Sequence, residues 1–286
     1  MSTGRLLISY AHPDDESFGL GGLIGKYVEQ GVDVYLICAT NGDVGTISPE
    51  YMNGYQSVAE VRIAELEKAA EILNLKQVFR LGYKDSGMMG AETNKDPACL
   101  WAAPVEAVTR QVVQVIREVQ PQVIITFNKY GGYGHPDHIA IQRATTDAFT
   151  LAGQADYVTD SPPYAPQKLY YSNIPKNQLR MRIAMLRLQG HDPRRMGRNK
   201  DMDMQAIVDH AEPSHARVDV RNYFELWDQA SNCHASQLNG RSGGMPLWLR
   251  KTFFPTQSFT RVFPAPKINK VDEVDLFANV KLDAQV

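Results

Sequence analysis

Leu6-Leu7-Ile8-Ser9-Tyr10-Ala11-His12-Pro13-Asp14-Asp15-Glu16 is the stretch from which the fold is read. It opens as an apolar run of strand length and changes abruptly to imidazole, proline and carboxylate. Pro13 biases His12 toward extended backbone, so strand geometry continues into the polar motif. Downstream, Gly19-Leu20-Gly21-Gly22-Leu23-Ile24-Gly25-Lys26-Tyr27-Val28 reads as helix despite its glycines, and 32–40 as a second strand. Residues 58–73 place Val61, Ala64, Leu66, Ala69, Ala70 and Leu73 at helical spacing. A third strand is predicted at 77–81 and a helix at 105–119, ended by Pro121. Val123-Ile124-Ile125-Thr126-Phe127 is an unbroken apolar strand of the kind covered on both faces. A helix at 137–151, a strand at 168–172 and a helix at 178–189 follow.

Strands alternating with helices predict an α/β fold, a Rossmann-like, mainly parallel sheet flanked by helices, with a C-terminal appendage. The expected division is a Rossmann-like core carrying the chemistry, 1–175, and an extension, 176–286, that packs on it within the same domain. Within the extension, 190–216 is polar, with Arg194, Arg195, Arg198 and Lys200 near Asp192, Asp201 and Asp203, and reads as a solvated segment. A short strand-helix unit at 217–236 and an irregular end rich in proline and aromatic residues are expected to wrap the core.

The 286 residues suffice for one large domain, with 43% hydrophobic and 22% charged residues. The formal net charge of −2 gives no support to a nucleic-acid or polyanion partner. Cys38, Cys99 and Cys233 are too few and too scattered for a disulfide framework, and Cys38 reads as a buried strand residue. No basic stretch followed by a long apolar segment opens the chain, and no apolar run approaches the roughly 20 residues that span a membrane. A cytoplasmic protein with no membrane or nucleic-acid partner is expected, acting on a small molecule. A homo-oligomer is left open.

The chemistry lies in two His-Pro-Asp motifs, His12-Pro13-Asp14-Asp15 and His135-Pro136-Asp137-His138. At average amino-acid usage this tripeptide is expected in roughly one chain of this length in a hundred, so two copies are unlike chance. Each follows a predicted strand, and ligands of open parallel sheets bind at the carboxyl ends of the strands. A turn after Pro13 brings Asp15 back beside His12, and His138 comes from the first turn of the next helix. His12, Asp15 and His138 are a donor set suited to a divalent metal, and three protein ligands leave coordination positions open, as catalytic sites do. Zn2+ is the expected cofactor, with Fe2+ or another divalent ion as the alternative. Asp14, beside a ligand without being one, is placed to act as a base. His135 is placed to donate a proton or steady an oxyanion, with Asp137 holding its tautomer. Tyr133, in Gly131-Gly132-Tyr133-Gly134, is expected to bring its hydroxyl to the same place.

With His12-Pro13-Asp14-Asp15-Glu16 closing the first strand and Gly134-His135-Pro136-Asp137-His138 after the fourth, the chain resembles the LmbE-like, or PIG-L, family of zinc-dependent N-acetylglucosaminyl deacetylases. Thr40-Asn41-Gly42-Asp43, Arg62 with Glu65, Asp85-Ser86-Gly87-Met88 and His234-x-x-Gln237 agree with it. The resemblance is close over about the first 150 residues and loose in the tail. It implies metal ligands His12, Asp15 and His138, Asp14 as general base and His135 as its electrostatic or acid partner. From the branch that serves mycothiol synthesis it further implies that Arg62 and Asp85 bind the substrate sugar or inositol. The expected reaction is hydrolytic N-deacetylation of an N-acetylglucosamine-containing molecule, giving acetate and a free amine. The alternatives are a thiol-conjugate amidase on the same fold and a non-catalytic carbohydrate-binding homologue. A dinucleotide-binding turn is disfavoured, because the glycines run Gly19-x-Gly21-x-x-Ile24, out of frame for that fingerprint.

Overall fold

The computed structural model of the chain describes residues 4–197, 200–238 and 246–282; Arg198 lies outside them. The core alternates strand and helix: β1 (Arg5–Tyr10), α1 (Asp15–Glu29), β2 (Asp33–Thr40), α2 (Val58–Ile72), β3 (Gln77–Tyr83), α3 (Val105–Val119), β4 (Val123–Thr126), the one-turn α4 (Gly131–Gly134), α5 (Pro136–Leu151) and β5 (Lys168–Asn173). The chain continues through α6 (Lys176–Leu188), α7 (Met204–Asp209), β6 (Ala216–Asp219), α8 (Phe224–Cys233), α9 (Ala235–Leu238), α10 (Leu247–Phe253) and β7 (Thr256–Phe263).

The strands form a single seven-stranded sheet in the order β3-β2-β1-β4-β5-β7-β6. The first five are parallel, and β7 and β6 join antiparallel to β5 and to each other. β1 pairs β2 on one side and β4 on the other. The chain thus winds outward from β1 to β3 and then returns to β4, and right-handed crossovers place the helices of the two windings on opposite faces. Accordingly α3 packs on α5, while α8 packs against α1 and α2. Cover on both faces explains why Leu6, Leu7 and Ile8 of β1 and Val123, Ile124 and Ile125 of β4 are all 0% exposed. The reversal of strand order between β1 and β4 opens a crevice at their carboxyl ends, and both His-Pro-Asp motifs follow these two strands.

Two parts of the extension differ from the sequence reading. The irregular end contains β7, which inserts between β5 and β6 so that the sheet continues into the extension. The polar 190–216 stretch is not simply solvated: Met204 and Val208 of α7 are buried against Leu179 and Ile183 of α6 in a small second core. Asp203 caps α7 by accepting hydrogen bonds from Gln205 and Ala206 N–H groups.

The glycines of α1 lie inside the helix, and Gly21, Gly22 and Gly25 serve packing. A Cβ at Gly21 would sit 2.6 Å from Trp227 Cδ1 and 3.3 Å from its Cα, and one at Gly22 would sit 2.8 Å from Trp227 Cε3. Among the described residues, a Cβ at Gly19 would meet only Tyr10, at 3.6 Å. Alanine in place of helical glycine should therefore have opposite signs along one helix. Gly19→Ala should stabilise by about 0.5–1 kcal/mol through backbone entropy, and Gly21→Ala should destabilise by about 1–3 kcal/mol through overpacking against α8. Urea denaturation of both variants checks this.

Candidate active site

The first motif turns sharply as β1 ends. Asp15 opens α1, and its Oδ2 folds back to accept the His12 N–H at 2.7 Å. That turn sets Asp15 Oδ2 3.4 Å from His12 Nδ1 and Oδ1 3.3 Å from His138 Nε2. His12 Nδ1 and His138 Nε2 are 3.1 Å apart. The three donor groups form a triangle in which both histidines are buried. Ligands about 2.0–2.2 Å from a tetrahedral ion stand about 3.3–3.6 Å from one another; the separations here, taken to both Asp15 oxygens, are close to that and could accommodate a divalent cation. A nitrogen of His135 also lies within 4.8 Å of nitrogens of His12 and His138, and His12, Asp85, His135 and Asp137 form a second close set. Hydrogen bonding favours the His12–Asp15–His138 triangle. His135 Nδ1 already accepts the Asp137 N–H at 3.2 Å, and Asp137 is engaged on both oxygens by Ser86.

Each histidine of the triangle is oriented through its far nitrogen, the usual arrangement around a metal. His138 Nδ1–H donates to Gly131 O at 3.2 Å, leaving Nε2 to face Asp15, and its ring stacks on Phe127 with centroids 3.8 Å apart. His12 Nε2–H donates to Asp137 Oδ2 at 3.1 Å, with Asp85 Oδ1 at 3.6 Å. Burial opposes a charge on His12, but Asp85, Asp137 and Asp15 raise its pKa well above the ordinary value. Burial opposes ionisation of Asp15 too, yet His138 and His12 hold its carboxyl well below the usual range. The carboxylates facing His12 thus favour positive charge at that position.

Asp137 is the clearest correction. It was expected to hold the tautomer of His135, but its carboxylate lies 4.0 Å from His135 Nδ1. It bonds instead to His12, to Ser86 N–H at 2.9 Å and to the Ser86 hydroxyl. His135 N-caps α5, and its tautomer is set by the Asp137 backbone N–H on Nδ1, which leaves the proton on Nε2. Burial, with His12 and His138 nearby, lowers the His135 pKa to about 2, so the ring is a neutral donor. Tyr133 stands edge-on to His138 and His135, with centroid separations of 5.0 and 5.9 Å. It is carried on α4, where Gly131 and Gly132 both adopt φ of +68°, a conformation that side chains resist.

Arg62, expected to contact the substrate sugar or inositol, bonds to protein groups in this structure. It is buried and faces inward: Nη2 bonds Asp14 Oδ2 at 3.1 Å and Pro13 O at 2.5 Å, and Nη1 bonds Gly42 O at 3.4 Å. Its partners are the Asp14 carboxylate and the backbone around it. Asp14 itself has φ of +136°, a rare conformation for a residue with a side chain. Burial raises the Asp14 carboxyl to about 6 against the opposing pull of Arg62, nearer the range of an effective base at neutral pH. Asp85 faces the same pocket, 7% exposed, accepting Gly87 N–H at 2.8 Å. Burial would raise its pKa, but His12 leads the effects that hold it well below the ordinary carboxylate range. The motifs name the clustered donors but not the partners around them: Ser86 on Asp137, and Glu16 with His234 on the Asp14 backbone. All three lie in segments the resemblance quoted, but only the fold shows what they touch.

A doubly wound parallel sheet with an imidazole–carboxylate cluster at its switch point defines a class of α/β protein whose site could hold a cation. The PIG-L family, described as GlcNAc-PI de-N-acetylase, matches residues 7–149. A 1D-myo-inositol 2-acetamido-2-deoxy-alpha-D-glucopyranoside deacetylase of Thermomonospora curvata is 40% identical over 65% of this chain and 66% of its own. One of the same name from Nocardiopsis dassonvillei is 33% identical over 96% of this chain and 100% of its own. In fold, the chain is similar to N,N'-diacetylchitobiose deacetylase from Pyrococcus horikoshii, with a TM-score of 0.60, 18% identity and coverage of 90% of this chain and 83% of that one. The chain belongs to the PIG-L family. Among the described residues no helix is long and apolar enough to cross a membrane.

The position of Asp137 has a measurable consequence. Asp137→Asn should weaken divalent-metal affinity about 10- to 100-fold, because it loosens His12. A competition titration with a chromogenic chelator checks this; unchanged affinity would return Asp137 to the expected role on His135.

Proposed function

We propose that this chain is a metal-dependent, zinc-preferring hydrolase that removes the acetyl group from a 2-acetamido-2-deoxy-glucopyranoside joined to inositol. The observation that carries the chemistry is the triangle of His12, Asp15 and His138 with Asp14 beside it. The substrate class rests on the relatives named above, two of which act on that sugar by name.

His12, Asp15 and His138 would hold the ion. When bound, it supplies Lewis-acid polarisation of the acetyl carbonyl and lowers the pKa of water. Asp14 takes a proton from the attacking water, whose oxygen forms the new bond to the acetyl carbon. The carbon–nitrogen bond then breaks, the nitrogen takes the proton that Asp14 received, and acetate and a free amine leave. His135, a neutral donor through Nε2, stabilises the negative charge that develops on the carbonyl oxygen. The Tyr133 hydroxyl, kept protonated by burial, is a second donor beside it. Arg62 fixes Asp14 so that its carboxylate is aimed before substrate arrives.

Asp14→Asn should keep its metal and lose about 100- to 10,000-fold in kcat for acetate release. His138→Ala should lose the metal itself. Metal analysis beside an enzymatic acetate assay separates the two; turnover retained by Asp14→Asn would remove the base assignment, and a full metal complement in His138→Ala would refute the ligand set.

A further inference from the structure

Glu16 and His234 are both 0% exposed and lie 218 residues apart, yet Glu16 Oε1 and His234 Nε2 are 2.8 Å apart. A buried ion-pairing couple of this kind is costly to desolvate and weak evidence of a contribution to stability. Its surroundings give it another use. The second carboxylate oxygen, Glu16 Oε2, accepts the backbone N–H of Asp14 at 3.1 Å, while Oε1 also accepts the Ser17 hydroxyl at 2.6 Å. Asp14 holds φ of +136° and ψ of −25°, a conformation that costs on the order of 1–3 kcal/mol and persists only where its surroundings over-determine it.

The contacts close into a ring. Asp14 is held through its carboxylate by Arg62 of α2 and through its N–H by Glu16. Glu16 is held by His234, the residue between α8 and α9. Two residues on, Ser236 N–H and hydroxyl donate to the two oxygens of Glu65, at 2.8 and 2.7 Å. Glu65 stands one helical turn from Arg62 on α2, so the ring returns to its start. His234 thereby reaches Asp14 through Glu16 while itself fully buried.

We propose that His234, acting through Glu16, is a positioning residue that holds the backbone of Asp14 in the conformation its base role requires. The proposal rests on the reading of Asp14 as base. His234→Leu removes the hydrogen bond, and His234→Gln restores a donor at about the place of Nε2. His234→Leu should lower kcat for acetate release about 10- to 100-fold, the usual effect of removing a supporting hydrogen-bond partner, with KM and bound metal within about twofold of the parent. His234→Gln should recover most of that loss. Because the effect passes through Asp14, His234→Leu should cost nothing further in an Asp14→Asn background, measured in single turnovers.

Three results would overturn the proposal: unchanged kcat in His234→Leu, a fall in kcat that tracks lost metal or is not rescued by glutamine, or additive losses in the double variant. Failure of the base reading shows separately, as turnover retained by Asp14→Asn alone. If Asp14→Asn is inactive while His234→Leu is fully active, only the positioning role falls.

Discussion

His12 is the residue on which the site depends, because its two nitrogens face two different tasks. Nδ1 belongs to the triangle with Asp15 and His138, and Nε2–H is tied to Asp137. An imidazole held at both ends cannot rotate away from the donor set. The geometry follows from chain direction: β1 and β4 run parallel at the reversal of strand order, so the residues leaving them share one crevice. Pro13 extends the backbone at His12, Asp15 turns it back, and α5 begins at the level that lets His138 complete the set.

Around this centre the protein places a shell of fixed dipoles and charges. Ser86, delivered by the loop after β3, supplies two donors to Asp137. Gly131 O orients His138, and the Asp137 N–H orients His135. Arg62 draws in the Asp14 carboxylate from α2. Most of these groups are buried, so their interactions are strong and little screened by solvent. The same burial makes each of them costly to leave unpaired, which explains why the polar groups here form connected networks.

Much of the fold was legible because its signals are local. Leu6-Leu7-Ile8 and Val123-Ile124-Ile125 are strands covered on both faces, and such runs stand out from their neighbours. The helix at 105–119 is legible to the residue from its apolar stripe and following proline. β7 was not seen, because Pro255 and Pro264 bracket it and its pairing with β5 and β6 is formed across long sequence separations. The α6–α7 contact was hidden for a related reason: Met204 and Val208 are single apolar residues in a polar stretch, and only the fold supplies Leu179 and Ile183. In the site, residue types disclosed the donors, while the assignment of partners required three dimensions. Asp137 lies two residues from His135 in sequence, yet its carboxylate turns to His12, and Arg62 turns inward to Asp14.

In the proposed reaction, one cation held by this triangle is required for amide hydrolysis. The most direct test is a stoichiometric titration: strip the protein with chelator, add Zn2+ in steps, and follow acetate release from the inositol-linked 2-acetamido-2-deoxy-glucopyranoside. Activity should be absent without metal and rise to a plateau at about one equivalent per chain, consistent with a single site of three protein ligands. Full acetate release by the stripped protein, or none at any zinc level, would contradict the account.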